Sequence, residues 1–308
     1  MFALRKQLVR NILPFAFLFA ACTQDEVVTD SASGEVTNAD MPVRVEVGLN
    51  DFATTGQPST KIYTYPDSGL EEFENGDEIG LWFIANNYAN PEYSHVIGDM
   101  YTLTYNNGKW DGELPTWGDL MPYVQESVHV AVKACYPKPV ESSDDALFAI
   151  EVPADQSLLD ADGFRNLTHQ LSNVTTYYNI IPEGGVIDLG FRYGMDRLKI
   201  ILRGEPDVVA NTQIALPGRY MKASCYVMDV NQYVSSDGAT IIPWRADAEQ
   251  SEGEAVYYAL IPQCNLFFTL DVLLTYDGNE SRHQVEMNYA LGQGGVDYTV
   301  ILNLKRGE

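Results

Sequence analysis

The stretch MPVRVEVGLN (residues 41–50) carries an apolar side chain at every second position. Val43, Val45 and Val47 alternate with Arg44 and Glu46. Because successive side chains of a β-strand point to opposite faces of a sheet, a period of two predicts a strand with one buried face. The folded part of the chain is therefore predicted to begin as β-structure.

Short segments of the same kind follow along the chain and are separated by turn residues. Asn107-Gly108 and Asp277-Gly278 are dipeptides typical of tight β-hairpins. Since strands with one apolar and one polar face are typical of antiparallel sheets, the pattern predicts an all-β fold of antiparallel β-sandwiches. The further predicted strands are residues 79–84, 101–105, 128–136, 147–152, 186–193, 198–203, 212–216, 222–228, 255–261, 266–276, 283–289 and 298–305.

The 308 residues are enough for about two domains, since a domain typically has roughly 150 residues. Residues 23–40 are polar and acidic and contain no aromatic side chain, so they cannot bury enough surface to fold alone. We therefore predict a flexible tether in residues 22–40 and two β-sandwich domains. A signal peptide is predicted to precede them in residues 1–21. These domains are predicted to span residues 41–188 and 189–308.

The first residues have the pattern of an export signal. Arg5, Lys6 and Arg10 precede an apolar run over residues 12–21. This run is shorter than the ~20 apolar residues that a membrane-spanning helix needs. A short apolar run after basic residues instead predicts a cleavable signal peptide.

The end of this signal resembles the lipobox of bacterial lipoproteins, in which a cysteine becomes lipidated and then forms the new N-terminus. The matching residues are FAAC (residues 19–22). The resemblance implies acylation of Cys22, with palmitate-type chains, and an outer-membrane anchor. TQDE (residues 23–26) resembles the acidic sequences that send such lipoproteins to the cell surface. The alternative is an ordinary secretory signal followed by an unrelated cysteine.

The chain is strongly acidic, with 43 Asp and Glu against 19 Lys and Arg and a net charge of −24. Binding to nucleic acid requires a concentrated basic surface, so we expect no nucleic-acid partner. The acidic balance does not indicate disorder, because 45% of the residues are hydrophobic and only 20% are charged.

Several segments together resemble the fimbrillin-like family of Bacteroidota, which includes fimbrial shaft, tip and anchor proteins. The most specific of them is FENGDEIGLW (residues 73–82). The resemblance implies two transthyretin-like β-sandwich domains in tandem. It also implies a non-enzymatic, lipid-anchored surface subunit that joins other fimbrial subunits by β-strand addition. The other matching segments are KIY (61–63), ACYP (134–137), LGFRYGMDRL (189–198) and GVDY (295–298).

In polymerising members of that family an arginine-specific protease removes the N-terminal segment. Arg44 is the first arginine after the predicted signal peptide. Its position makes it the candidate processing site. The alternative is an arginine on the exposed face of the first strand.

We find no catalytic, metal-binding or cofactor-binding motif, and we predict a protein that is not an enzyme. None of the four histidines, His95, His129, His169 and His283, has the spacing of a metal or general-base motif. The segment DADG (residues 160–163) begins like a calcium loop but lacks the later ligands. We expect its acids to be solvated, which leaves weak calcium binding open.

The cysteines and one serine are further candidates for modification. Cys135, Cys225 and Cys264 are predicted to be buried thiols, with one Cys225–Cys264 disulfide left open. Ser31, in the segment DSA, matches a short acceptor pattern for O-glycans in these bacteria.

Two other classes of protein share some of these features. A glycan-binding lipoprotein of a polysaccharide-uptake system would have the same anchor, and Trp82, Trp110, Trp117 and Trp244 with the 19 tyrosines would supply its sugar platform. Aromatic residues also fill β-sheet cores. A secreted hydrolase would need two close carboxylates in a concave pocket. Exposed coplanar aromatics would favour glycan binding, whereas an incomplete sheet with an open groove would favour strand addition.

Overall fold

The segments that alternate in sequence form strands in the structure. The computed structural model describes residues 38–49, 53–54, 73–140, 146–263, 267–291 and 294–304. Strands dominate these residues and helices are short, which confirms the predicted all-β class. The predicted signal peptide, Cys22, Ser31 and all but the end of the predicted tether lie outside the described residues.

Most of the predicted strands are present with similar bounds. The predicted strands 128–136 and 186–193 match β7 and β11. The strands are β1 (Arg44–Leu49), β2 (Ala53–Thr54), β3 (Glu78–Asn87), β4 (His95–Val96), β5 (Tyr101–Asn106), β6 (Lys109–Asp111), β7 (Val128–Tyr136), β8 (Ala146–Glu151), β9 (Leu171–Asn173), β10 (Thr176–Tyr178), β11 (Val186–Tyr193), β12 (Met195–Arg203), β13 (Gln213–Tyr226), β14 (Asp229–Ile241), β15 (Trp244–Arg245), β16 (Glu254–Pro262), β17 (Phe267–Tyr276), β18 (Asn279–Leu291) and β19 (Val296–Asn303).

The helices in the described part of the chain are short. They are α1 (Trp117–Leu120), α2 (Ala161–Thr168) and α3 (Pro206–Asn211), together with 3-10 turns at Asn38–Asp40, Pro91–Tyr93, Met121–Tyr123, Gln156–Leu158, Glu183–Gly185 and Asp247–Glu249.

Strand β14 is the longest element that the sequence pattern missed. Its sequence, DVNQYVSSDGATI, is too polar to show a clear apolar alternation. It forms because it pairs with β13 along most of its length in antiparallel register. The predicted strands 212–216 and 222–228 are correspondingly parts of the single strand β13.

Among the described residues, the first sheet has nine strands. Its main path is β1-β11-β9-β7-β3-β5-β6, while β4 pairs with β3 and β10 pairs with β7. The strands β1 and β6 are therefore the two ends of this path. The hairpin between β5 and β6 turns at Asn107 and Gly108, whose φ angles of 49° and 85° fit the tight turn expected of this dipeptide.

Strand β3 lies near the middle of this sheet and is buried on both faces. Ile79, Leu81 and Phe83 belong to one hydrophobic cluster, which we call the first core. Trp82 and Ile84 point the other way, into a second cluster that we call the second core. The run IGLWFI is therefore continuously apolar because the strand separates two cores, not because the sheet is parallel.

The second core is built largely by two further sheets. One has the order β15-β16-β12-β19-β2, and the other has the order β14-β13-β17-β18 with β8 also paired to β13. Phe148 and Ile150 of β8 and Phe164 of α2 are buried in the same cluster as Leu198 and Tyr258. Side chains from both sides of residue 188 therefore share this core.

The predicted boundary between residues 188 and 189 falls inside β11. That strand completes the first sheet by pairing with β1 and β9. The residues Val36–Glu308 belong to one compact unit. The division into two tandem domains stays a prediction.

Three strand pairs correct the prediction that the sheets are purely antiparallel. β1 runs parallel to β11, and β19 runs parallel to both β12 and β2. Alternation of apolar residues reports which face of a strand is buried, but it contains no information on the direction of the partner strand. Parallel partners also need a long crossover connection, which local turn signals cannot reveal.

An ion pair joins two of these parallel strands. Arg197 of β12 donates from Nε to Oδ1 of Asp297 over 2.8 Å and from Nη2 to Oδ2 over 2.5 Å. Arg197 is buried and Asp297 of β19 is largely buried. Burial raises the pKa of the Asp297 carboxyl, and the Arg197 guanidinium opposes that rise. A two-bond contact of this kind aligns β12 and β19 in register.

We expect Asp297→Ala to lower the free energy of unfolding by about 2–3 kcal/mol, because the substitution leaves a buried guanidinium without its main anionic partner. Urea denaturation monitored by circular dichroism measures the change. Asp271→Ala is the matched control, since Asp271 also pairs across neighbouring strands but with the exposed Arg282. Equal losses in the two variants would contradict the structural importance of the Arg197–Asp297 pair.

Candidate functional site

An open groove separates the two ends of the nine-stranded sheet. Its cavity has a volume of about 760 Å³. Strand β1 forms one wall, and β5, β6 and the chain that follows form the other. The side chains that line it include Val45, Val47, Leu103, Tyr105, Trp110 and Leu114.

The groove runs along the outer edge of β1. On its inner side, β1 pairs with β11 over all six of its residues. On its outer side no strand among the described residues pairs with it, and β6 likewise pairs only with β5 within that part of the chain. Backbone N–H and C=O groups on such an edge are available to another strand.

The FENGDEIGLW motif packs against the β5–β6 hairpin, which forms the wall opposite β1. Phe73 packs edge-on against Trp110 at 4.9 Å and against Tyr136 at 5.4 Å between ring centroids. The Asn75 side chain accepts a hydrogen bond from the backbone N–H of Asn107, and the Gly76 N–H donates to the Tyr105 carbonyl. The motif therefore positions the β5–β6 hairpin that borders the groove.

The residues just before β1 are anchored firmly. Val43 is 4% exposed, and its N–H donates to the Pro115 carbonyl over 3.1 Å. The backbone N–H of Trp117 donates to the Met41 carbonyl over 3.1 Å. Gly185 has φ 67°, and a Cβ at this position would lie 2.5 Å from the Met41 sulfur. Glycine therefore makes room for the Met41 side chain.

Arg44 is the first residue of β1, and its side chain is exposed. Its Nη2 group donates to the Gly184 carbonyl. This arrangement matches the alternative stated from the sequence, an outward arginine of a strand, while the assignment of Arg44 as a processing site stays a prediction. A cut after Arg44 would separate the anchors Met41 and Val43 from residues 45–49.

A protease can cut after Arg44 only when this part of β1 leaves the sheet. We expect Val43→Asp to accelerate trypsin cleavage at Arg44 by at least about tenfold, because a carboxylate is costly to bury and its solvation favours detachment. Mass spectrometry of the fragment ending at Arg44 measures the rate. Glu46→Ala, on the exposed face of the same strand, should leave the rate unchanged. Equal rates in both variants would contradict anchoring through Val43.

The described cysteines are buried free thiols. Burial raises the pKa of Cys225 to about 11 and raises the pKa of Cys135 further. Cys225 is a free thiol in the structure, and Cys264, its partner in the disulfide left open from the sequence, lies outside the described residues. The prediction of buried small side chains is confirmed for both described thiols.

The segment DADG begins helix α2. Asp160 is the N-cap residue, and its Oδ1 accepts a hydrogen bond from the Gly163 N–H over 2.7 Å. Asp162 pairs with Arg165 one turn later. Asp160 therefore caps the helix, and Asp162 forms an ion pair in its first turn. The described residues include no group of three or more histidine, cysteine or acidic side chains placed to hold a metal ion.

The four histidines are dispersed. His95 is exposed, and the His283 ring lies 3.2 Å from the Ser281 hydroxyl. Burial lowers the pKa of His169 and the nearby Arg165 lowers it further. The ring of His129 lies 5.2 Å from the ring of Tyr88.

The tryptophans do not form one exposed platform. Trp82 and Trp117 are buried. Trp244 stacks on Phe164 with 5.4 Å between ring centroids, and Trp110 belongs to the groove wall. Packing thus accounts for the tryptophans that the sequence offered as sugar ligands.

A second cavity was missed by the sequence reasoning. Its volume is about 470 Å³, and tyrosine side chains rather than tryptophans line it. We call it the tyrosine pocket and define it by Asn86, Tyr88, His129, Tyr177, Met228 and Asp229. The only sequence signal was the polar and aromatic triplet Asn86-Asn87-Tyr88 directly after the buried part of β3.

Within the described residues, no helix is both long and apolar enough to span a membrane. Neither a protein-family model nor a curated protein matches the sequence. Solved structures do match it. The chain is similar to fimbrial and adhesion proteins of Bacteroidota.

Three of these structures illustrate the similarity. A proposed cell adhesion protein from Bacteroides ovatus is 11% identical with a TM-score of 0.47, and the match covers 86% of this chain and 93% of that one. The fimbrial anchor protein Mfa2 from Porphyromonas gingivalis is 11% identical with a TM-score of 0.42, covering 85% and 90%. A fimbrial protein from Bacteroides ovatus is 14% identical with a TM-score of 0.42, covering 85% and 50%.

Proposed function

We propose that this protein is a non-enzymatic cell-surface subunit of a fimbrium or adhesin that joins its partner by β-strand addition. The observation that carries the proposal is the outer edge of β1, which pairs with no other described strand and faces β6 across the open groove. A strand from another subunit would pair with β1 through main-chain hydrogen bonds, and its alternate side chains would enter the groove.

The walls of the groove suit an extended, partly apolar segment. Val45 and Val47 offer apolar surface on one side, and Leu103 and Trp110 offer it on the other. Lys109 and Asp111 add charged groups at the rim. Main-chain pairing would supply affinity and the apolar contacts would select the register of the added strand.

The finer architecture and location belong to the same proposal. Two transthyretin-like domains over residues 41–188 and 189–308 would place the groove in the N-terminal one. Lipid on Cys22 would tie the protein to the outer membrane, with residues 22–40 as a tether at the cell surface. Ser31 in that tether remains a predicted O-glycosylation site.

Anchoring through Cys22 is tested in cells. We expect Cys22→Ser to abolish incorporation of labelled palmitate and to release the protein from the outer-membrane fraction, because two or more acyl chains are needed for stable attachment. Cys135→Ser is the control, since that thiol is buried and should not change fractionation. Membrane retention of the Cys22→Ser protein without label would contradict lipid anchoring, but it would leave the groove proposal standing.

Assembly is tested by processing at Arg44. We expect an arginine-specific protease to convert the purified protein into multimers that appear as a heat-labile ladder on gels and as larger species in light scattering. Cleavage would free the anchored segment around Val43 and widen access to the β1 edge. Arg44→Gln should stay monomeric, whereas the control Arg165→Gln, on α2, should assemble. Cleaved protein that remains monomeric at every concentration would contradict processing-driven strand addition.

The alternative of a glycan-binding lipoprotein is not favoured by the tryptophans, which are packed. A specific observation does favour a saccharide site of a different kind, because exposed tyrosines line the second cavity.

A further inference from the structure

We propose that the tyrosine pocket binds a short neutral saccharide. No residue of this pocket lines the strand-addition groove, so the two sites are separate. The inference therefore goes beyond the proposed assembly function and does not depend on it.

Tyr88 is an exposed aromatic ring that hydrogen bonds hold in place. The residue is 58% exposed, although its ring centroid lies 5.2 Å from that of His129. Its hydroxyl donates to the Glu126 carbonyl over 2.8 Å, and its N–H donates to the Ser127 carbonyl over 3.2 Å. A rigid exposed ring loses little conformational entropy when it binds a ligand.

The loop that carries Tyr88 is equally well ordered by local contacts. The Asn87 side chain accepts hydrogen bonds from the N–H groups of Ala89 and Asn90 over 3.1 and 2.9 Å. The Asn87 N–H donates to the Ser94 hydroxyl over 3.0 Å. These bonds fold the chain back directly after β3 and keep Tyr88 at the edge of the cavity.

The facing wall comes from two other elements. Tyr177 lies in β10 and is 38% exposed, and Asp229 lies at the turn between β13 and β14. The buried hydroxyl of Thr175 donates to the Val230 carbonyl over 2.9 Å, which ties this turn to the chain beside β10. Two tyrosines and a carboxylate thus border one cavity, and hydrogen bonds hold the backbone segments near them in place.

This combination of groups fits the chemistry of a sugar. The C–H face of a pyranose ring carries positive partial charge and stacks on the negative face of an aromatic ring. Carboxylate and amide oxygens accept hydrogen bonds from neighbouring hydroxyl groups, which Asp229 and Asn86 can provide. The volume of about 470 Å³ lies within the range of ligand pockets.

The charges around the pocket favour a neutral ligand. The lining contains Asp229 but no lysine or arginine. The whole chain has a net charge of −24, which disfavours an acidic sugar at the same place. A neutral hexose unit is therefore the ligand class that the pocket suits.

Saturation-transfer NMR titrations of the purified protein test the proposal. The probes are D-glucose, D-galactose, D-mannose, L-fucose, N-acetyl-D-glucosamine and D-glucuronate, each up to about 10 mM, since single sugar units bind weakly. We expect at least one neutral sugar to bind and D-glucuronate to bind more weakly. Tyr88→Ala should weaken binding at least about tenfold, while Tyr88→Phe, which keeps the ring, should retain most of it.

Tyr93→Ala is the matched control, because Tyr93 lies in the same loop and is 69% exposed but does not line the pocket. It should bind like the unmodified protein. Asp229→Asn provides a second variant if Tyr88→Ala disturbs folding, and it should weaken the binding of neutral sugars. Thermal unfolding of each variant checks its fold.

The proposal is overturned if no neutral sugar binds, if D-glucuronate binds as tightly as the neutral sugars, or if neither Tyr88→Ala nor Asp229→Asn weakens binding. Multimer formation after cleavage at Arg44 should be the same in Tyr88→Ala and in the unmodified protein. The two proposals can therefore fail independently.

Discussion

Strand β3 is buried on both faces, and its side chains contribute to both hydrophobic cores of the protein. Ile79, Leu81 and Phe83 supply the first core, while Trp82 and Ile84 supply the second. Its neighbour β7 divides its side chains between the two cores in the same way. A shift of either strand by one residue would exchange the contents of both cores, so the register at the centre of the sheet is strongly fixed.

A buried lysine also helps to fix that register. Lys133 of β7 donates to the Asn173 carbonyl over 3.0 Å, and its ammonium lies 5.4 Å from the centre of the Tyr233 ring. The Asn173 side chain in turn accepts from the Ala134 N–H. Burial lowers the pKa of Lys133. Removing an ammonium from water is costly, so the pairing that satisfies it disfavours alternative strand arrangements.

Both proposed sites lie at the margins of the first sheet, away from its buried centre. The groove lies where β1 and β6 end the path of the first sheet without a further partner among the described residues. The tyrosine pocket is lined by Tyr88, which directly follows β3, and by His129, the second residue of β7. A rigid sheet that displays free edges and strand ends can bind partners without rearranging its core.

Alternation and turn chemistry are local properties, so they predicted the all-β class, the bounds of strands such as β7 and β11, and the hairpin at Asn107-Gly108. The tertiary structure set the parallel partners of β1 and β19 and the polar strand β14. It also decided which aromatics are packed and which remain exposed. Each of these depends on contacts between residues far apart in the chain, and a local pattern carries no record of them.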